Sequence, residues 1–77
     1  MTEVSDFFLA VYLLASGEHL ADVEVQPKEV FRFAASASLQ SHLEAYRADT
    51  ALVNPKTFAR KIMELRQQLK QQHDVTA

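Results

Sequence analysis

The chain has 77 residues, 48% of them apolar, with no cysteine, one glycine and a formal net charge of −2. That length holds one hydrophobic core and no second domain, and the missing cysteines exclude disulfides and thiolate zinc sites. The longest apolar run, Phe7 to Ala15, is about half of what a bilayer crossing requires, and Glu3 and Asp6 stand where a signal peptide carries positive charge, so a cytoplasmic chain is expected.

Residues 1–4 read as a frayed start. Ser5 is a good N-cap and Asp6 suits the positive end of a helix dipole, which predicts a first helix over 6–16. Gly17 follows as a left-handed C-cap, with Leu20 able to fold back onto the last turn. Phe7, Val11 and Leu14 share one face of this helix, while Leu9, Tyr12 and Leu13 lie roughly opposite. A helix apolar all round has to be covered on more than one side. Residues 21–26 alternate apolar and polar, as a half-buried strand does, and Val30 to Ala34 is β-prone with Phe31 and Phe33 on one side and Arg32 on the other. Pro27 suits the turn between them, giving a hairpin that the helices must cover.

After the small residues 35–38, in which Ser36 or Ser38 can cap, a second helix is expected over 39–49 with the stripe Leu39, Leu43 and Tyr46. Asn54 and Pro55 form a strong start for a third helix over 55–72, whose Phe58, Ile62, Leu65 and Leu69 make a seam about 60° wide at 4-3-4 spacing. The fold class expected is α+β, a single domain over 1–77 in the order α-β-β-α-α. A two-stranded antiparallel hairpin packs on the helices, order extends from about 5 to 72, and the tail 73–77 is flexible.

No motif for chemistry accompanies these elements. His19, His42 and His73 lack any metal-ligand spacing, none of the serines stands in a nucleophile elbow, and a single glycine cannot build a phosphate-cradling loop. Asp22 and Glu24 fall on the outer side of a strand, a solvated position. The expectation is a protein without catalytic residues, metal ligands or cofactor.

Two surface features remain. The first 50 residues carry eight acidic side chains against three basic ones, and the remaining 27 carry five basic against two acidic. Lys56, Arg60, Arg66 and Lys70 spread along the third helix away from its seam, a pattern that would serve nucleic-acid phosphates. The apolar excess points instead to a protein interface, with Leu9 and Leu13 of helix one, or Phe58, Ile62, Leu65 and Leu69 of helix three, as anchors. The leading expectation is a non-enzymatic protein-interaction module that self-associates, as a homodimer, or binds another protein. The alternative is a nucleic-acid-binding accessory protein; no membrane partner is expected.

Asp6-Phe7-Phe8-Leu9-Ala10-Val11-Tyr12-Leu13-Leu14, Gly17-Glu18-His19-Leu20, Val30-Phe31-Arg32-Phe33, Leu43-Glu44-Ala45-Tyr46 and Val53-Asn54-Pro55, followed by Phe58 and residues 65–69, occur in an order that resembles a family of small uncharacterised domains of phages and prokaryotes. Glu18 stands between Gly17 and His19, where that family commonly has Gly-His directly. The resemblance implies the order helix, hairpin, helix, helix and a setting in phage or mobile-element biology; binding or inhibition of a host protein is a variant of the protein-interaction expectation that the acidic first half permits. It implies no reaction and no site.

Overall fold

A computed structural model describes residues 1–25 and 27–76, with side chains described through Gln71. Six elements follow one another: β1 (Thr2–Val4), α1 (Phe7–Ala15), β2 (Leu20–Glu24), β3 (Val30–Phe33), α2 (Leu39–Arg47) and α3 (Pro55–Thr76). The fold is α+β, and the helix, hairpin, helix, helix order is present with one strand added in front.

That added strand corrects the reading of residues 1–4 as a frayed start. β1 pairs antiparallel with β3, so the hairpin becomes a three-stranded sheet in the order β1-β3-β2. Thr2, Glu3 and Val4 stand opposite Phe33, Arg32 and Phe31. Val4 is consequently buried on the helix side with the two phenylalanines, while Glu3 reaches Arg32 on the outer side. A two-stranded hairpin is marginal in water, and the third strand gives β3 a partner on each edge.

β2 begins at Leu20 rather than 21 because its register shifts between Leu20 and Asp22. The extra residue, Ala21, lets Leu20 pair with Phe33 while Val23 pairs with Phe31. Without that bulge an odd spacing would put Leu20 and Val23 on opposite sides of the sheet. Gln26, expected in this strand, lies outside the described residues.

The N-cap of α1 is Asp6, not Ser5: its Oδ1 accepts from the amides of Phe8 (3.0 Å) and Leu9 (3.3 Å). At the other end Gly17 has φ +94°, and the amides of Gly17 and Glu18 donate to the carbonyls of Leu14 (3.1 Å) and Leu13 (3.0 Å). These two bonds are the Schellman closure that a left-handed residue permits. α2 ends the same way, with Asp49 left-handed at φ 59° and the amides of Asp49 and Thr50 donating to Tyr46 and Ala45. Its start is tied by Ser36, whose Oγ accepts from the Leu39 amide at 3.1 Å; Ser38 occupies the cap position without capping. Asn54 caps α3 as expected, with Oδ1 accepting from Lys56 (2.9 Å) and Thr57 (3.2 Å). The helix continues to Thr76 rather than stopping at 72. The flexibility expected of 73–77 concerns side chains, and the residue Ala77, that lie outside the described residues.

α1 lies at the centre, packed most extensively on α3 and also against α2 and β1. Its two-sided apolarity is accounted for by that position. Phe31, Phe33, Leu13, Leu65 and Val11 are the largest fully buried side chains, contributed by β3, α1 and α3. Tyr12, on the side of α1 turned to α2, has its ring 5.6 Å from that of Tyr46 and edge-on to His42 at 6.0 Å. No helix among the described residues is long and apolar enough to cross a membrane.

Candidate functional site

The side chains expected to grip a partner are occupied within the chain. Leu13, Leu65 and Leu69 are buried core residues, and Leu9, Phe58 and Ile62 pack half-buried against that core. The narrow seam of α3 is thus a seam with the body of the same chain, and none of the six stands out as an exposed anchor. The large apolar side chains that do reach solvent are Met1, Phe8, Leu52 and Met63.

On the outward side of α3, Lys56, Arg60, Met63, Gln67 and Lys70 recur at 4-3-4-3 spacing. At 100° per residue they fill a band about 80° wide, roughly opposite the buried seam, and span about 21 Å. All five are exposed, Met63 to 72%. No carboxylate interrupts the stripe. Among the described residues Lys56, Arg60, Arg66 and Lys70 make no ion pair, whereas Lys61, nearer the core side, bonds Glu64 at 3.3 Å. The structure therefore places Lys56, Arg60 and Lys70 on one line and sets Arg66 to its flank. There the Arg66 guanidinium lies 5.7 Å from the ring centre of Phe7. Phe7 is edge-on to Phe8 at 5.4 Å, and Phe8 is 49% exposed. Sequence reasoning placed Phe7 on one face of helix one with Val11 and Leu14 and missed that it joins Phe8 to Arg66 of α3.

The outer face of the sheet has the opposite sign. Arg32 sits amid three carboxylates, donating from Nε to Glu3 (3.0 Å), from Nη1 to Asp22 (2.9 Å) and from Nη2 to Glu24 (3.1 Å). The bonds to Glu24, Glu3 and Asp22, in that order, raise the guanidinium pKa above its ordinary value. One cation against three anions leaves this face at −2. Three of the eight acidic side chains of residues 1–50 thus gather on the sheet, apart from the basic side chains along α3.

A third feature lies at the junction of α1 and α2. Glu18 follows the left-handed Gly17, a position that in such closures usually carries an apolar side chain. Here the carboxylate is buried and accepts from Ser36 Oγ (2.5 Å), Ser38 Oγ (2.6 Å) and His42 Nδ1 (2.7 Å). An ionised carboxylate only accepts, so Nδ1 carries the proton. Burial pushes the Glu18 carboxyl up, but the bonds from Ser36, Ser38 and His42 and the charge of His42 outweigh it, and its pKa lies below the ordinary value. These residue types are those of an acyl-transfer triad, yet the connectivity differs. Both seryl hydroxyls donate to the carboxylate, whereas a nucleophilic serine needs to bond the imidazole. The cluster ties the α1–β2 turn to the start of α2.

Beside it an open cleft of about 540 Å³ runs between the Gly17–Leu20 turn and α3, with Lys61, Glu64 and Gln68 on its far wall. The charged pair there is satisfied internally, and His19 on the near wall is exposed. No group of three metal-ligating side chains occurs among the described residues; His73 is outside them.

In comparisons with protein-family models, curated proteins and solved structures, nothing matches the chain.

Proposed function

We propose that this protein is a non-enzymatic binding module whose working surface is the outward side of α3 and whose partner is a nucleic acid. One observation carries the reading: four cations, Lys56, Arg60, Arg66 and Lys70, which make no ion pair among the described residues, on or beside a stripe about 21 Å long that holds no carboxylate between positions 56 and 70. The net charge of −2 does not oppose it, because the acidic excess sits on the sheet around Arg32, a separate surface. The engagement of Ser36 and Ser38 on Glu18 supports the non-enzymatic part of the reading.

Neutralising about four phosphates makes affinity fall with salt at a logarithmic slope near −3 to −4, a loss of about 100-fold between 50 and 200 mM. Fluorescence polarisation of labelled oligonucleotides across that range measures it. The expected result is binding at 50 mM that follows this slope and is lost in Lys56→Glu/Arg60→Glu/Lys70→Glu. Absence of any binding at 50 mM refutes the reading.

A second reading, docking to a host protein or to another copy of the chain, is favoured by the apolar side chains that remain outside, above all Leu52 at 92% exposure. Single exposed apolar residues are ordinary on protein surfaces, which makes this the weaker reading. Sedimentation showing a concentration-dependent dimer would raise it above the first.

A further inference from the structure

We infer that the nucleic acid taken by this surface is single-stranded, and that Phe8 is the platform on which a base stacks. This rests on the nucleic-acid reading of α3. Phe8 is the most exposed aromatic ring of the described chain, and it is held rather than loose. Its ring is edge-on to Phe7 (5.4 Å, 87°), and Phe7 is edge-on to the fully buried Phe31 (6.4 Å, 69°), so a line of aromatic contacts runs from the surface into the core. The same Phe7 lies under the Arg66 guanidinium, and Arg66 borders a shallow hollow of about 390 Å³ with Met63, Gln67 and Lys70.

A half-exposed ring, a planar guanidinium and a line of cations thus share one neighbourhood. Single strands are bound by that combination: cations follow the phosphates while unstacked bases lie on aromatic rings and guanidinium planes. A duplex keeps the faces of its bases stacked on one another and has no use for Phe8. The nearest carboxylate in sequence, Asp6, is engaged in capping the amides of Phe8 and Leu9.

The test compares a fluorescein-labelled 20-nucleotide oligothymidylate with a 20-base-pair duplex at 50 mM salt, using the full chain and variants whose fold is checked by circular dichroism. Phe8→Ala is expected to weaken single-strand binding about 10-fold and to leave duplex binding within twofold. Phe8→Trp keeps the affinity, and its fluorescence, from the sole tryptophan in a chain that has none, is quenched when the oligonucleotide is added. Single-strand binding that survives Phe8→Ala, an equal loss for both DNAs, or an unquenched tryptophan at saturation overturns the stacking role and leaves the nucleic-acid reading standing. Binding of neither DNA by the unaltered chain overturns both and directs the cations of α3 toward an acidic protein.

Discussion

Replacing Glu18 by Gln tests whether the buried carboxylate ties α2 to the end of α1. The amide keeps the shape, and a suitable flip lets the Ser36 hydroxyl accept from it, so what is lost is mainly the charge on the bonds from Ser36, Ser38 and His42. A bond to a charged group contributes about 1 kcal/mol more than a neutral one, or about 3 kcal/mol over the cluster. Relief of the cost of burying a charge returns about 1 kcal/mol of that, leaving a loss of about 2 kcal/mol. A domain of this length has a total stability of about 4–12 kcal/mol, so Tm should fall by about 10 °C at pH 7. The pH dependence has a definite sign. The folded-state pKa of Glu18 is lowered, so its contribution is present above the unfolded carboxylate pKa and disappears as pH falls through the folded one. Parent and variant should therefore converge in acid, where both carry a neutral side chain at this position. Urea melts at several pH values measure both effects. A neutral-pH difference under about 0.5 kcal/mol, or a difference that persists in acid, refutes this account of the cluster.

Gly17→Ala should cost about 1–2 kcal/mol, read as a lower Tm, because φ +94° strains any residue with a Cβ although nothing lies within 4 Å to clash with it. An unchanged Tm would mean the turn relaxes. Arg32→Gln leaves Glu3, Asp22 and Glu24 facing one another without their cation. Its Tm should fall more at 20 mM than at 500 mM salt, and equal losses at both would show that the three bonds do not act through charge.

The periodicities and two of the helix ends were legible in the sequence because they are local: Asn54-Pro55, Gly17, the seam of α3 and the Phe31–Phe33 face stand where the residues pointed, whereas the cap of α1 fell one residue later, on Asp6. β1 was not, because three residues carry too little alternation to declare a strand and its partner lies 29 positions away from Glu3 at Arg32. That the candidate anchors are covered from within the chain was not legible for a related reason. Hydrophobic spacing shows which face of a helix is covered but not by what, and here the covering of Leu13, Leu65 and Leu69 comes from the chain itself. The basic stripe of α3 was readable because like charges on one helix face follow from spacing alone. The Glu18 cluster was hidden, since it joins residues 18, 36, 38 and 42 through two turns whose path only the fold supplies. A charged residue directly after a left-handed glycine was its sole local sign.

The position of β1 also orders events in time. Residues 2–4 are synthesised before residues 30–33, so the edge they join does not exist until β3 has been made. Closing a loop of this length is slow beside the formation of a local hairpin. Residues 2–4 are therefore the last part of the sheet to be seated, and pulsed hydrogen exchange should find their amides protected after those of 20–24 and 30–33.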